Sequence, residues 1–157
     1  MTFVNHPGLL TAHLDQFAHV ELGSRELDSL RGRILEIAGD DPAIEAPALR
    51  GRLEVDGFAA LLERLDGLIR RGGTWQAGPA GADRDAEDGW LQAVTLHRKS
   101  RTLHKELKEA EAALAFEPSD ANLARMVEIQ KQLANADGTE ALIDGFGASS
   151  GRPARSF

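Results

Sequence analysis

No cysteine and no tyrosine occur in this chain, and aromatic residues make up only 5% of it. Without cysteine there is no disulfide framework and no thiolate metal site, and a reducing, cytoplasmic setting fits. Long apolar runs are missing too. None approaches the ~18 residues that a membrane-spanning helix needs, and the N-terminus lacks a charged-then-apolar signal pattern. An excess of positive charge is also lacking: 18 Lys and Arg stand against 25 Asp and Glu, for a net charge of −7. That argues against nucleic acid as the main partner, because binding a phosphate backbone rests largely on Lys and Arg. No Gly-x-Ser-x-Gly, Walker-type Gly-Lys-Ser or His-Glu-x-x-His motif is present. Neither an internal repeat nor an alternating strand pattern of useful length can be found.

What is there favours helices. Hydrophobic residues are 42% of 157, enough for a core, and the abundance of Leu and Ala favours helices packed on helices. The length suits one domain, or one domain with an appendage. Residues 1–5 read as the end of a linker. His6-Pro7-Gly8 opens a helix, since Pro is tolerated where a helix starts, and Glu21-Leu22-Gly23 ends it. Ser24 is the N-cap of a second helix, in which Leu27, Leu30, Ile34 and Ile37 recur at steps of 3, 4 and 3. Asp40-Asp41-Pro42 is a turn. A short helix is predicted over Pro47–Leu53. Another is capped by Asp56 and stopped by Gly72-Gly73. Thr74–Arg84 is a loop with Trp75 as its apolar anchor.

The most regular stretch runs from Trp90 to Leu133. Ala93, Leu96, Ser100, Leu103, Leu107, Ala110 and Leu114 follow one another at alternating steps of 3 and 4, the seam of a helix packed along one partner. Pro118 stops that helix and pushes Glu117 out of the helical region. Ser119 then caps a second arm, with Asp120 at its positive end. Its stripe is read as Leu123, Met126 or Val127, Gln130 and Leu133, with Ile129 off the seam on an exposed face. Two helices joined by so short a turn run antiparallel. A two-helix hairpin cannot hide all its apolar side chains, so its outer face is expected to bind something.

Chemistry is scarce. His97 and His104 stand seven apart on the long helix, and a metal there would need a third ligand from elsewhere; solvated surface histidines are the alternative. Asp40-Asp41 and the group Asp83, Asp85, Glu87 and Asp88 read as capping and solubilising charge. His97, Arg98, Lys99, Arg101, His104, Lys105 and Lys108 make a basic sector. It is either an exposed face laced with pairs such as Lys105–Glu109 and Lys108–Glu111, or a patch for an acidic partner. No cofactor and no catalytic residue is expected.

His6-Pro7-Gly8-Leu9-Leu10, the Trp75 loop, Leu103-His104-Lys105-Glu106-Leu107 and Ala110-Glu111-Ala112-Ala113-Leu114 together resemble the C-terminal region of bacterial DnaG-type DNA primases. Glu128-Ile129-Gln130-Lys131-Gln132-Leu133-Ala134 and Gly138-Thr139-Glu140-Ala141-Leu142 are similar to the end of the alphaproteobacterial members. The likeness covers about residues 6–147. In that family this region follows a zinc-binding domain and a metal-dependent polymerase core. Neither is found in this sequence, so the chain is expected to be an excised, non-catalytic domain.

The resemblance implies an all-α fold: a small helical bundle joined by a long helix to a C-terminal antiparallel helical hairpin. It also implies binding to the N-terminal domain of the ring-shaped replicative helicase, which recruits the primase to the fork and modulates the helicase. Carried onto this chain, the contact falls on the second arm, at Leu123, Met126, Val127, Ile129, Gln130, Lys131, Leu133 and Asn135. In some members the bundle also binds the acidic C-terminal tail of single-stranded DNA-binding protein; Arg70, Arg71, Arg98, Lys99 and Arg101 are the candidates here. The expected organisation is a bundle over 6–95, a hairpin over 96–136 and a mostly disordered tail over 137–157. The rival reading is an unrelated helical adaptor, or a homodimer built on the hairpin.

Overall fold

The computed structural model describes residues 1–136 and 146–153, and all the described regular structure is helical. A single turn, α1 (Thr2–Asn5), precedes six longer helices: α2 (Leu10–His19), α3 (Arg25–Asp40), α4 (Ala46–Leu53), α5 (Ala59–Gly72), α6 (Asp83–Phe116) and α7 (Asp120–Ala136). The chain divides into two compact units, one of Met1–Trp90 with Ile143–Phe157 and one of Leu91–Leu142. The first turns of α6 belong to the first unit and the rest of α6, with α7, to the second. At 1.5 Å per residue the 34 residues of α6 extend about 51 Å. The short helix suggested by Thr139–Ile143 lies outside the described residues.

The first unit closes on one apolar core. The predicted stripe of α3 is there: Leu30, Ile34 and Ile37 are buried, with Leu27 partly so. They meet Leu10 and Phe17 of α2, Leu49 and Leu53 of α4 and Leu61 and Leu62 of α5. Residues 1–5 are not a linker end. Phe3 and Val4 are buried in this core, and the Phe3 ring lies 4.5 Å from that of Phe17 and 4.6 Å from that of Trp90. Three aromatic rings in tilted and edge-on contact contribute beyond their buried area. Pro7–Leu9 forms one tight turn, so α2 begins only at Leu10. Ser24 does stand at the start of α3, but its hydroxyl makes no capping bond; Glu26 and Asp28 bring the negative charge there. Between α4 and α5 the chain bends through Glu54–Phe58, where Gly57 takes φ 93°, a conformation that side chains strongly disfavour.

Arginines fasten the outside of this unit. Arg50 reaches Asp66 at 2.5 Å and Glu54 at 3.1 Å, Arg64 reaches Glu26 at 2.5 Å, and Arg33 bridges Asp56 and Glu36. The hydrogen bond to Asp66 raises the Arg50 guanidinium further above its already high ordinary value, so its charge persists at any working pH.

The acidic start of α6 does more than solubilise. Asp83 Oδ1 lies 2.8 Å from His6 Nδ1, whose Nε2 is 3.0 Å from the Gly78 carbonyl. Glu87 lies 2.7 Å from His13, and the Trp90 indole donates to Gln16 at 3.0 Å. These contacts lock the N-terminal segment onto the first two turns of α6. Asp85 is 2% exposed. It accepts the Gly147 N–H at 3.0 Å and the Ser150 hydroxyl, while Ser150 Oγ accepts the Ala82 N–H at 2.8 Å.

Part of the expected tail is therefore a clasp. Phe146 is buried with its ring 5.4 Å from that of Trp75, and the Arg152 guanidinium stands 4.1 Å from the centre of the Trp75 ring, a cation–π contact. Gly147 has φ 94°, and a Cβ there would meet Trp75 and Arg152. The physical reason is pairing: a glycine- and serine-rich segment folds against the buried carboxylate of Asp85 and the half-buried indole of Trp75. Residues 137–145 and 154–157 of that expectation lie outside the described residues.

Candidate interaction surface

The second unit is a hairpin with a narrow core. Leu103 and Ala110 of α6 and Ile129 of α7 are buried against one another, flanked by Leu107, Met126 and Leu133. On α6 this matches the spacing read from the sequence at Leu103, Leu107 and Ala110, whereas Ala93 at its start is exposed and Val94 is buried instead. The turn is fixed by side chains: Ser119 Oγ accepts the Asn122 N–H at 3.3 Å, and Asn122 Nδ2 donates to the Glu117 carbonyl at 2.8 Å. Asn122 was not singled out from the sequence, though an Asn three residues after a Ser cap next to a helix-ending Pro was a usable signal.

On α7 the seam keeps Met126 and Leu133 of the predicted stripe but takes Asn122 and Ile129 in place of Leu123 and Gln130. It runs Asn122, Met126, Ile129 and Leu133, at steps of 4, 3 and 4. Ile129, expected on an exposed contact face, is 6% exposed and sits in the hairpin core. Leu123, expected in the seam, is 47% exposed, and Val127 is 37% exposed. The pairing of Asn122 with the turn rotates α7 so that Ile129 faces inward and Leu123 outward.

The eight proposed contact residues thus separate. Leu123, Val127, Gln130 and Lys131 are exposed. Met126 and Leu133 are half-buried against the seam and Ile129 is inside it; the side chain of Asn135 lies outside the described ones. Leu123 and Val127 stand one turn apart on one face of α7. Near them in sequence, at the end of α6, Phe116 is 92% exposed. On α7 the exposed Gln130 and Lys131 border the aliphatic side chains of Leu123 and Val127.

The five basic candidates are divided between the two units. Arg70 and Arg71 are exposed in the last turn of α5, in the first unit, and Arg98, Lys99 and Arg101 are exposed on α6 in the second. The first unit also has a groove of about 550 Å³ between α2 and α3, lined mainly by Leu10, Leu14, Ala18, Leu35, Pro42 and Ile44. Asp15 is the one charged residue lining it and none of the five basic residues does, so an acidic tail finds no cation there. Leu14 is 47% exposed at its lip.

His104 bonds the Ser100 carbonyl of its own helix at 2.8 Å. Among the described residues no group of three His, Cys, Asp or Glu could hold a metal ion, and no helix is long and apolar enough to cross a membrane. The chain matches no protein-family model, no curated protein and no solved structure.

Proposed function

We propose that this chain is a non-catalytic docking domain of the primase kind, which binds the N-terminal domain of a ring-shaped replicative helicase through the outer face of its hairpin. Within the proposal the contact residues are Leu123, Val127, Gln130 and Lys131 of α7, with Phe116 at the turn. The single observation that carries it is the exposure of Leu123 and Val127 on α7, with Phe116 exposed at the end of α6, although the seam is closed by Met126, Ile129 and Leu133. Burying three such side chains on a partner contributes roughly 1.5–3 kcal/mol each when fully covered, enough to matter in an interface of modest size. Calorimetric titration with the cognate helicase N-terminal domain tests the reading. Saturable binding at micromolar concentration is expected, and no heat at tens of micromolar overturns it.

The same exposed side chains support a second reading, a homodimer in which two hairpins form a four-helix bundle. Light scattering separates the two: a mass that rises to twice the chain mass with concentration favours the dimer, and a constant monomer removes it.

A further inference from the structure

The groove of the first unit joins an apolar wall to an acidic setting. On α2 it is lined by Leu10, Leu14 and Ala18, one turn apart, which spans about 12 Å of axis at 1.5 Å per residue. On α3 it is lined by Leu35, Ala38 and Gly39. Small residues keep the hollow open: a Cβ added at Gly39 would meet nothing within 4 Å. Residues 7–18 and 35–44 contain the whole lining, and they carry no Lys or Arg. Their carboxylates are Asp15, Glu36, Asp40 and Asp41. Glu36 is held by Arg33 at 2.8 Å and Asp41 by Arg52 at 3.5 Å. Asp15, in the lining, pairs with His19 of its own helix at 3.3 Å, with both side chains mostly exposed, and such a surface pair contributes little. Asp40 is exposed at the end of α3 and meets no cation among the described residues.

We propose that this groove seats a basic amphipathic helix of a partner protein, its aliphatic stripe between α2 and α3 and its Lys or Arg side chains toward Asp15 and Asp40. Charge selects the occupant: an acidic segment would meet carboxylates and no cation, whereas a basic one is attracted at both ends of its apolar stripe. Spacing selects its form. The α2 wall repeats once per turn, and a helix with apolar residues at i, i+3, i+4 and i+7 presents a matching row. The open volume of about 550 Å³ lies within the roughly 300–1,000 Å³ typical of ligand pockets. This seat is separate from the hairpin face, because α2 and α3 belong to the first unit and Leu123 and Val127 to the second, so either reading can fail without the other.

Fluorescence anisotropy with the whole chain tests the proposal. The probe is a labelled twelve-residue peptide with Leu, Met or Phe at its first, fourth, fifth and eighth positions and Lys and Ala elsewhere. One control peptide carries Glu in place of Lys, and another has the probe's composition without its stripe. Saturable binding of the probe at micromolar concentration is expected, with both controls at least tenfold weaker. Gly39→Leu fills the hollow from a helical position whose φ is not positive. It is expected to keep helicity and to weaken probe binding at least tenfold. Asp15→Asn/Asp40→Asn changes two exposed side chains and is expected to weaken the probe roughly threefold or more; it decides the matter if Gly39→Leu loses helicity. No probe binding at tens of micromolar, a control bound as tightly as the probe, or a folded variant of either kind that binds as the unaltered chain does each overturns the proposal. Displacement of the probe by an equal concentration of decylamine also overturns it, and assigns the groove to a small aliphatic amine.

Discussion

Asp85 holds a carboxylate out of water with donors that come from more than sixty residues further along the chain. Charge-assisted hydrogen bonds of this kind contribute about 1.5–3 kcal/mol, and an orphaned partner costs more than a clean deletion. Asp85→Ala is therefore expected to lower stability by roughly 2–3 kcal/mol in urea denaturation. It should also make Phe146–Pro153 an early site of limited proteolysis and change the fluorescence of Trp75. A clasp that stays protected in this variant would mean that the Trp75 contacts hold it alone. At Gly147 the backbone itself is the constraint. Gly147→Ala is expected to cost about 1–2 kcal/mol, because its φ of 94° disfavours any Cβ. Neither effect was legible from the sequence. Gly145 to Arg155 reads as tail by composition, and nothing local in it reveals that Asp85 and Trp75 are its partners.

At the scale of the element, α7 shows where spacing stops being informative. Leu123, Met126, Gln130 and Leu133 fit a 3–4 rhythm, and so do Asn122, Met126, Ile129 and Leu133. The helix carries apolar residues on more than one side, so periodicity leaves two registers open. The choice is made by α6 across the seam and by Asn122 in the turn. The later turns of α6 were readable because Leu103, Leu107 and Ala110 form one stripe with charge behind it, and the start of α7 was readable because Pro118 and Ser119 punctuate it. The faces can be separated by substitution. Ile129→Asp buries an unpaired charge in a three-residue core and should unfold the hairpin, seen as lost helicity and a lost thermal transition. Leu123→Asp should leave both intact. Ser119→Ala removes the hydroxyl that accepts the Asn122 N–H, with an expected loss of about 1 kcal/mol in hairpin stability.

Over the whole molecule, the two units differ in what holds them. Among the described residues the first has thirteen buried residues in one cluster and the second has three. Stability within a protein follows local burial, so amides of α7 are expected to exchange with deuterium at a lower opening free energy than amides of α3. Equal protection of the two helices would mean that the units unfold as one. The fold class was legible in the sequence because helix stripes, glycine stops and the Pro118 turn agree with one another. Which face of α7 stays outside was not, because it depends on which side of α7 the hairpin uses for itself. The central claim is that the outer face of α7, and not the seam, meets the helicase. Its most direct test is a calorimetric titration of the helicase N-terminal domain with Leu123→Asp/Val127→Asp beside the unaltered chain, with helicity measured on both. The account predicts unchanged helicity and binding weakened at least tenfold; equal affinity in the double variant would contradict it.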